Sequence, residues 1–498
     1  MRMAADDPPA VVLGGGIAGL AAARLLARHY PRVVVLERDV RTDCGDPESA
    51  FGTWQRPGVP QFRHSHAFLA RLRLVLLAHL PELLDRLRAL GVRELGLAEI
   101  APPGITLAHE DGDEEVVLLA CRRATFEWAL RECVRMRPGI ELREGVSVAG
   151  LSASRRDGRR PTVDGVRLAD GAVLPAALVV DATGRRSRGP EWLRAIGAAP
   201  ARELCADTGM FYYTRFYRLH RGRAPRGTTG LVAGDLGWVK VAIFPGDRAS
   251  FSISVGAPVD DPSLHGLSDP ARFEAFLRAF PAVAPWRARA VSTPIDGPAT
   301  PVLVMGQLRN RLRRFVDRDG PVATGFFTIG DAAYHSNPVY GRGSTFALVQ
   351  AALLDEALGR YPRDLTAAAR FLDRESEREL RPFWEAAVAG DRRTLGARGG
   401  PKVTDPRAWL LGLAEGAFGW FFDRGMLPAS RVDAAIFRAL MRIFNMLEPP
   451  ERLFTDAGLL VRALPVLARV LRGDGPPPLF PVVTREWALS RLARAAGE

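Results

Sequence analysis

The segment Gly14-Gly15-Gly16-Ile17-Ala18-Gly19 follows directly on the apolar run Val11-Val12-Leu13. A second apolar run, Val33-Val34-Val35-Leu36, ends in Glu37, eighteen residues after the last of those glycines. This order and spacing are those of a dinucleotide-binding βαβ unit: Gly14 permits the tight turn, Gly16 lets the backbone approach a pyrophosphate, and Gly19 lets the helix pack close to the strand. Ile17 and Ala18 open that helix beside the phosphates. Glu37 lies where a carboxylate accepts hydrogen bonds from the adenosine ribose, and Arg38 beside it is a further candidate contact.

The fingerprint does not choose the dinucleotide, but a second motif far along the chain does. Thr328-Ile329-Gly330-Asp331-Ala332-Ala333 is followed by Asn337-Pro338-Val339-Tyr340-Gly341-Arg342-Gly343 and then by the helical run from Phe346 to Leu358. An aspartate at the carboxyl end of a strand can hold the hydroxyls of a sugar-like chain, and a helix N-terminus presents free N–H groups to an electron-rich acceptor. A ribityl chain and a pyrimidine carbonyl edge answer that description. The predicted cofactor is therefore FAD, with Asp331, Pro338, Gly341 and Gly343 among its contacts.

With these motifs the chain resembles the FAD-dependent monooxygenases of the aromatic hydroxylase and squalene epoxidase type over most of residues 8 to 360. Val179 to Ser187, with Asp181 and Gly184, is similar to the family's middle Asp-Gly region, carrying two intervening residues. Arg123 matches the arginine that contacts FAD in that family, and Val148 falls where such proteins offer backbone to the adenine. Pro57 to Ala67, containing Gln61, His64 and His66, looks like a Gly-Val-Pro-Gln…His loop of bacterial tailoring epoxidases and hydroxylases that passes near the isoalloxazine. The flavin-front candidates are Gln61, His64, His66, Asn337 and Tyr340. No residue is assigned as catalytic acid, base or nucleophile, and no metal is expected, because two histidines without a Cys or carboxylate in ligand spacing do not make a site.

The resemblance implies insertion of one oxygen atom from O2 into a lipophilic small molecule through a C4a-hydroperoxyflavin, by epoxidation or hydroxylation, in natural-product biosynthesis. Electrons would come from NAD(P)H or from a separate flavin reductase. Two alternatives remain open: a flavin-dependent reductase or dehydrogenase of a prenyl or polyketide-like substrate, and a flavin-dependent halogenase. The halogenase signature Trp-x-Trp-x-Ile-Pro is absent, although Lys240 follows Trp238 in a suggestive Gly-Trp-Val-Lys.

The elements that must position these residues follow from pattern. At 498 residues and 47% hydrophobic the chain can bury a large core. The fold class expected is α/β (α+β), in four stretches. Residues 8–195 form the first part of a Rossmann-like FAD-binding domain, with a helical stretch from His66 to Gly91 and a strand-rich excursion near 104–120. Residues 196–300 form an inserted, β-rich and aromatic antiparallel sheet, one face of which covers the substrate cavity. Residues 301–360 return to the FAD domain, and 361–498 form a helical region. In that last region Ile436, Leu440, Phe444 and Leu447 share one helix face, with Arg438 and Arg442 on another, and the apolar stretch Ala408 to Phe422 precedes them. Such helices build their own core, cap a lipophilic substrate, or do both.

The net charge of +12 points at first to nucleic acid, yet Lys240 and Lys402 are the only lysines, and 66 arginines are spread along the chain among 56 acids. That is no binding stripe, so no nucleic-acid partner is expected. Cys44, Cys121, Cys133 and Cys205 form no CxxC and read as reduced thiols, which together with the lack of an apolar run of twenty predicts a cytoplasmic protein capable of peripheral membrane contact.

Overall fold

The computed structural model describes residues 7–40, 44–154, 160–220, 225, 232–295, 301–396, 416–478 and 480–496. At its centre five parallel strands lie in the order Phe326–Thr328, Leu178–Asp181, Ala10–Leu13, Val33–Glu37 and Ile140–Glu144. Every residue of the three inner strands is buried. Burial on both faces is why they read as unbroken Val/Leu runs. Val12, Val33, Val35 and Val180 pack in one cluster with Leu20 and Ala23 of the helix Ile17–Leu26, Phe126 and Leu130 of Arg123–Arg135, and Val349 and Leu353 of Gly343–Arg360. Val11, Leu13, Val34 and Leu36 pack on the other side against a three-stranded meander of Val148–Ser154, Thr162–Leu168 and Val173–Pro175.

The chain starts in the middle of the sheet, builds outward to Ile140–Glu144, and returns on the opposite side through Leu178–Asp181. Connections therefore diverge at the carboxyl end of Ala10–Leu13, and such a switch point leaves a crevice there. Gly19 brings helix and strand together at this point, since a Cβ on it would stand 1.9 Å from the carbonyl oxygen of Gly14.

A second, antiparallel sheet runs in the order Val232–Asp235, Lys240–Pro245, Ser250–Pro258, Met210–Leu219 and Ser292–Pro294, with Leu303–Met305 also paired to Met210–Leu219. Its strands alternate as expected, with Tyr212, Phe216 and Phe244 on the face toward the cofactor and a second apolar set on the other. Tyr213, Tyr217, Phe251, Ile253 and Val255 pack with Leu264, Phe273, Phe276, Phe280 and Trp286 into the sheet's own core. An alternating pattern has two faces and does not say which one meets the ligand.

The helical stretch from His66 to Gly91 is built of two helices, Ala70–His79 and Pro81–Ala89, because Pro81 cannot continue the first. One local expectation needs correction. The segment 104–120 is not strand-rich: it holds one three-residue strand, Leu118–Ala120, paired with Arg93–Leu95. Gly112 takes a positive φ of 90° and opens the short 3-10 turn Asp113–Glu115, which interrupts any longer strand.

The C-terminal region is helical, led by Leu365–Gly396. In the helix Ala434–Phe444, Ile436, Leu440 and Ile443 pack with Met426, Leu459 and Val466, so this region has a core of its own. Phe437, Leu440, Met441 and Phe444 also border a cavity of about 1340 Å³. Core and cavity wall are thus shared by one helix. Its arginines reach back to the first half of the chain: Arg438 Nε donates to Asp113 Oδ1 at 2.9 Å, and Arg442 Nη2 to Glu115 Oε2 at 2.7 Å. Of the apolar stretch Ala408 to Phe422, the part up to residue 415, with Trp409, lies outside the described residues. Among the described residues no helix is long and apolar enough to cross a membrane.

Candidate functional site

A cavity of about 380 Å³ occupies the crevice at the carboxyl ends of the parallel strands. Gly14, Gly16, Ile17 and Ala18 line it from the first turn, Glu37 and Arg38 from the end of the second strand, and Val148 and Arg123 from the flank. Asp331, Pro338, Gly341 and Gly343 come in from the far end of the chain, and Gln61, His64 and His66 from the loop before the helices. Gly19 lies behind the lining, where its role is the close helix–strand approach. Asn337 and Tyr340 do not line this cavity: Tyr340 borders the large C-terminal cavity, and the Asn337 side chain is turned into a buried network described below.

The glycine turn is held by ionic groups on either side. The Gly15 N–H donates to Glu37 Oε2 at 2.9 Å, and Arg131 Nη1 donates to the Gly15 carbonyl at 3.2 Å. Glu37 in turn receives Arg56 Nη2 at 2.9 Å and the Asp39 N–H at 2.9 Å. A carboxylate has about four acceptor sites, so one remains for a ribose hydroxyl. On the opposite wall His66 Nδ1 lies 2.9 Å from the His64 carbonyl oxygen, which can only accept. The proton therefore sits on Nδ1, and His66 Nε2 accepts from Arg123 Nη1 at 3.2 Å. Arg123 is held from its other side by Glu127 Oε2, 3.3 Å from Nε.

Several buried polar atoms here have no protein partner: Ser336 Oγ, Ser344 Oγ and Arg185 Nη1, all on residues lining the cavity. Gly16 adds a cradle, because nothing lies within 4 Å of where its Cβ would be. The eighteen-residue helix Gly343–Arg360 has no side-chain N-cap, and its first turn faces the same space. Orphaned donors, a free helix N-terminus and the arginines Arg38, Arg123, Arg185, Arg186 and Arg188 suit an anionic dinucleotide with hydrogen-bond acceptors along its length. These residues fit FAD.

Burial and the nearby Arg185 charge lower the His64 pKa to about 4, and burial with the Arg123 charge lowers that of His66 to about 3. In an unfolded chain a histidine takes up its proton near 6.5. Both folded values lie below that, so the stability these groups contribute is complete above pH 6.5 and is lost as pH falls towards 4. At pH 5 the loss for His64 amounts to roughly 2 kcal/mol, and less for the part-exposed His66. Urea unfolding of the FAD-free protein at pH 7 and pH 5 is expected to display this loss, and His64→Gln to remove about that much of it.

The front of the cavity opens on a niche of about 30 Å³ bounded by His64, Ser65, Pro338 and Val339 on one side and by the inward face of the antiparallel sheet on the other. The pairing register gives that face three rows: Phe216, Ser252 and Phe244; Thr214, Ser254 and Ala242; Tyr212, Gly256 and Lys240. The middle strand contributes only small residues. This leaves the niche and puts the Thr214 and Ser254 hydroxyls at its floor, between Phe244 and Tyr212.

The turn Pro338–Tyr340 separates the niche from the large cavity, and Asp391 of the long helix holds it. Asn337 Nδ2 and Asn310 Nδ2 donate to the two Asp391 oxygens at 2.7 Å each, while Asn337 Oδ1 accepts from Tyr212 OH at 2.6 Å and from the Val339 N–H at 3.1 Å. Asn310, Asn337 and Asp391 are all buried, and burial pushes the Asp391 pKa up against the two amide hydrogen bonds that lower it. Asp391→Ala strands two buried amide donors and is expected to cost about 2–4 kcal/mol in denaturant unfolding.

Sequence reasoning missed Arg56, Thr214, Ser252, Ser254, Ser336, Ser344, Asn310 and Asp391. The run Arg185-Arg186-Ser187-Arg188, directly after a glycine at the end of a strand, was a readable signal for the arginines that line this cavity.

Comparison with known proteins agrees with this geometry. Residues 12–68 match the NAD(P)-binding Rossmann-like domain model. The chain is 28% identical over 496 residues to protein Rv3254 of Mycobacterium tuberculosis, covering 93% of each. Among solved structures it is similar to PqsL, a probable FAD-dependent monooxygenase from Pseudomonas aeruginosa, with 21% identity, a TM-score of 0.52, and coverage of 78% of this chain and 99% of that one. It is also similar to the flavin-dependent halogenase CmlS, with 18% identity, a TM-score of 0.58, and coverage of 88% and 77%. The fold is that of the flavin-dependent monooxygenases and halogenases.

Proposed function

We propose that this chain is an FAD-dependent monooxygenase that transfers one atom of dioxygen to a small molecule with a lipophilic body. The observation that carries the reading is a dinucleotide cavity with orphaned donors that opens, at its front, on a niche between His64 and Pro338. FAD bound there would supply the redox chemistry and the activation of dioxygen. Glu37 would hold the adenosine ribose, the Gly14–Ile17 turn and Arg185 the phosphates, Asp331 the ribityl hydroxyls, and the helix N-terminus at Gly343 the pyrimidine carbonyl edge. His64, Pro338 and Val339 wall the reacting face, and Tyr212, Phe244 and Met305 on the same lining help to close it from water. The large cavity beyond Tyr340, lined by Phe418, Phe437, Leu440, Met441 and Phe444, supports a lipophilic body for the substrate. PqsL has been solved in complex with 2-aminobenzoylacetate, a small molecule.

A halogenase is the second reading, because Lys240 lines the niche, with its Nζ 2.6 Å from Asp235 Oδ2, and CmlS shares the fold. The deciding experiment supplies FAD-loaded protein with 18O-labelled dioxygen and a panel of phenols and alkenes, electrons coming either from NAD(P)H or from an added flavin reductase. Substrate-coupled oxygen consumption with one labelled oxygen in the product is expected. Product formation that requires halide would replace this reading by the halogenase, and substrate reduction without oxygen demand would replace it by a reductase or dehydrogenase.

A further inference from the structure

The wall between the cofactor cavity and the large C-terminal cavity carries a charge that the protein itself does not balance. Arg342 stands between Gly341 and Gly343, which line the cofactor cavity, while Arg342 lines the large one. It is 7% exposed. Every other arginine buried among the described residues stands in an ion pair with a carboxylate, Arg122 with Asp247, Arg215 with Glu274, Arg313 with Glu203 and Arg438 with Asp113 among them. Arg342 meets no carboxylate.

Its Nη1 donates to the Phe383 carbonyl at 2.6 Å, and the guanidinium lies 5.1 Å and 5.4 Å from the ring centres of Tyr340 and Phe383. These contacts orient the group without neutralising it. Nε is buried with no hydrogen-bond partner, and no acceptor among the described residues meets Nη2. The side of the fork that takes a carboxylate with two parallel hydrogen bonds is therefore unused by the protein. Burial lowers the Arg342 pKa to about 10, which leaves it charged at neutral pH. A buried cation without a counter-charge is a cost to the fold, so its presence calls for an anion from outside. The rest of the lining has the same sign: Arg392, Arg393 and Arg431 also border the cavity, whereas of its acids Glu385 is held by Arg381 at 2.7 Å and Glu451 is exposed. A large apolar space with one oriented polar anchor is the usual form of a small-molecule site.

We propose that the large cavity receives an amphiphile bearing one carboxylate, its acid group on the unused side of Arg342 and its apolar body along the helix Ala434–Phe444. This rests on the monooxygenase reading and narrows its substrate to a lipophilic acid, held by the charged end at the wall that the two cavities share. An alcohol of the same body leaves Arg342 without a counter-charge, and a cationic analogue is repelled.

The test is isothermal titration of FAD-loaded protein with three probes of one chain length, decanoate, 1-decanol and decyltrimethylammonium. Decanoate is expected to bind at least roughly tenfold more tightly than 1-decanol, with the ammonium weakest; Arg342→Gln should reduce the acid-to-alcohol ratio to about threefold or less, and Arg342→Lys should keep it above that. Arg431→Gln, at another guanidinium of the lining, should leave the ratio unchanged. Because Arg342 has no ion pair to lose, Arg342→Gln is expected to unfold at no lower a urea concentration than the parent. Equal affinity for acid and alcohol, no heat with decanoate up to its solubility, a ratio that survives Arg342→Gln or is lost in Arg431→Gln instead, or an Arg342→Gln protein that fails to fold would overturn the proposal, the last by assigning Arg342 to the fold. Oxygen consumption with the phenol and alkene panel is measured on the same preparation, so a working oxygenase without acid preference is told apart from a protein that holds the acid and does not oxygenate.

Discussion

Gly19→Ala is expected to unfold the cofactor site and Gly16→Ala to empty it, although the two positions are three residues apart in one motif. A Cβ on Gly19 would stand 1.9 Å from the Gly14 carbonyl oxygen and 3.2 Å from Val12 Cγ1. The first contact is with backbone, so no rotamer change relieves it. The helix Ile17–Leu26 must retreat from the strand Ala10–Leu13, unpacking Leu20, Ala23 and Leu26 from the main core. A loss of about 3 kcal/mol or more is expected, at the upper end for an overpacked site, together with loss of bound flavin. At Gly16 nothing lies within 4 Å of the added methyl, and its φ of −85° is open to any residue. Stability should change by no more than about 1 kcal/mol, the scale of an N-cap substitution, while the methyl projects into the cavity and weakens FAD by at least roughly tenfold. Urea midpoints and the flavin absorbance of gel-filtered protein separate the two effects. Stoichiometric FAD retained by Gly16→Ala would mean that the pyrophosphate does not lie against this turn.

The contrast explains what could be read from the sequence. Gly14, Gly16 and Gly19 are set by backbone geometry, and Glu37 and Asp331 place their carboxylates at fixed offsets from a strand end; such constraints leave a local signature. The parallel core was legible for the same reason, since burial on both faces writes an unbroken Val/Leu run. The flavin front was not. Thr214 and Ser254 lie on adjacent strands forty residues apart, and alternation marks both faces of a sheet alike, so it does not tell that Tyr212 lines the niche while Tyr213 and Tyr217 pack with Phe273 and Trp286. Asn337 carried a motif but not its direction, because its partner Asp391 stands fifty-four residues away on a helix whose pattern advertises only packing.

Arg56 is the extreme case of an invisible residue, one arginine in a chain that has 66, and its removal is expected to have the largest single effect on stability. Its side chain is 1% exposed and touches three carboxylates: Glu37 Oε2 at 2.9 Å, Asp39 Oδ2 at 3.3 Å and Glu127 Oε1 at 2.5 Å, themselves between 0% and 6% exposed. The guanidinium also lies 4.7 Å from the centre of the buried Trp54 ring. Such a cluster adds little by existing, because desolvation offsets its Coulomb attraction, but deleting the one shared cation leaves buried charge uncompensated. Arg56→Met should cost about 3–5 kcal/mol at pH 7. Lysine is a poor substitute, as a single ammonium cannot present the planar fork that meets three acceptors. The sign of the pH dependence is diagnostic. Without Arg56 the buried carboxylates acquire folded pKa values above their unfolded ones, so the penalty is greatest at neutral pH and shrinks as pH falls and they take up protons. The gap between Arg56→Met and the parent protein should therefore narrow from pH 7 to pH 5, while the parent itself loses stability through its buried histidines. The function is affected by the same route. Glu37 is the group that fixes the Gly15 N–H, so a Glu37 freed from Arg56 loosens the glycine turn, and FAD should dissociate more readily even where the protein still folds. A gap that stayed constant across this pH range would mean that the three carboxylates find other cations or water, and that Arg56 is not the centre of the cluster.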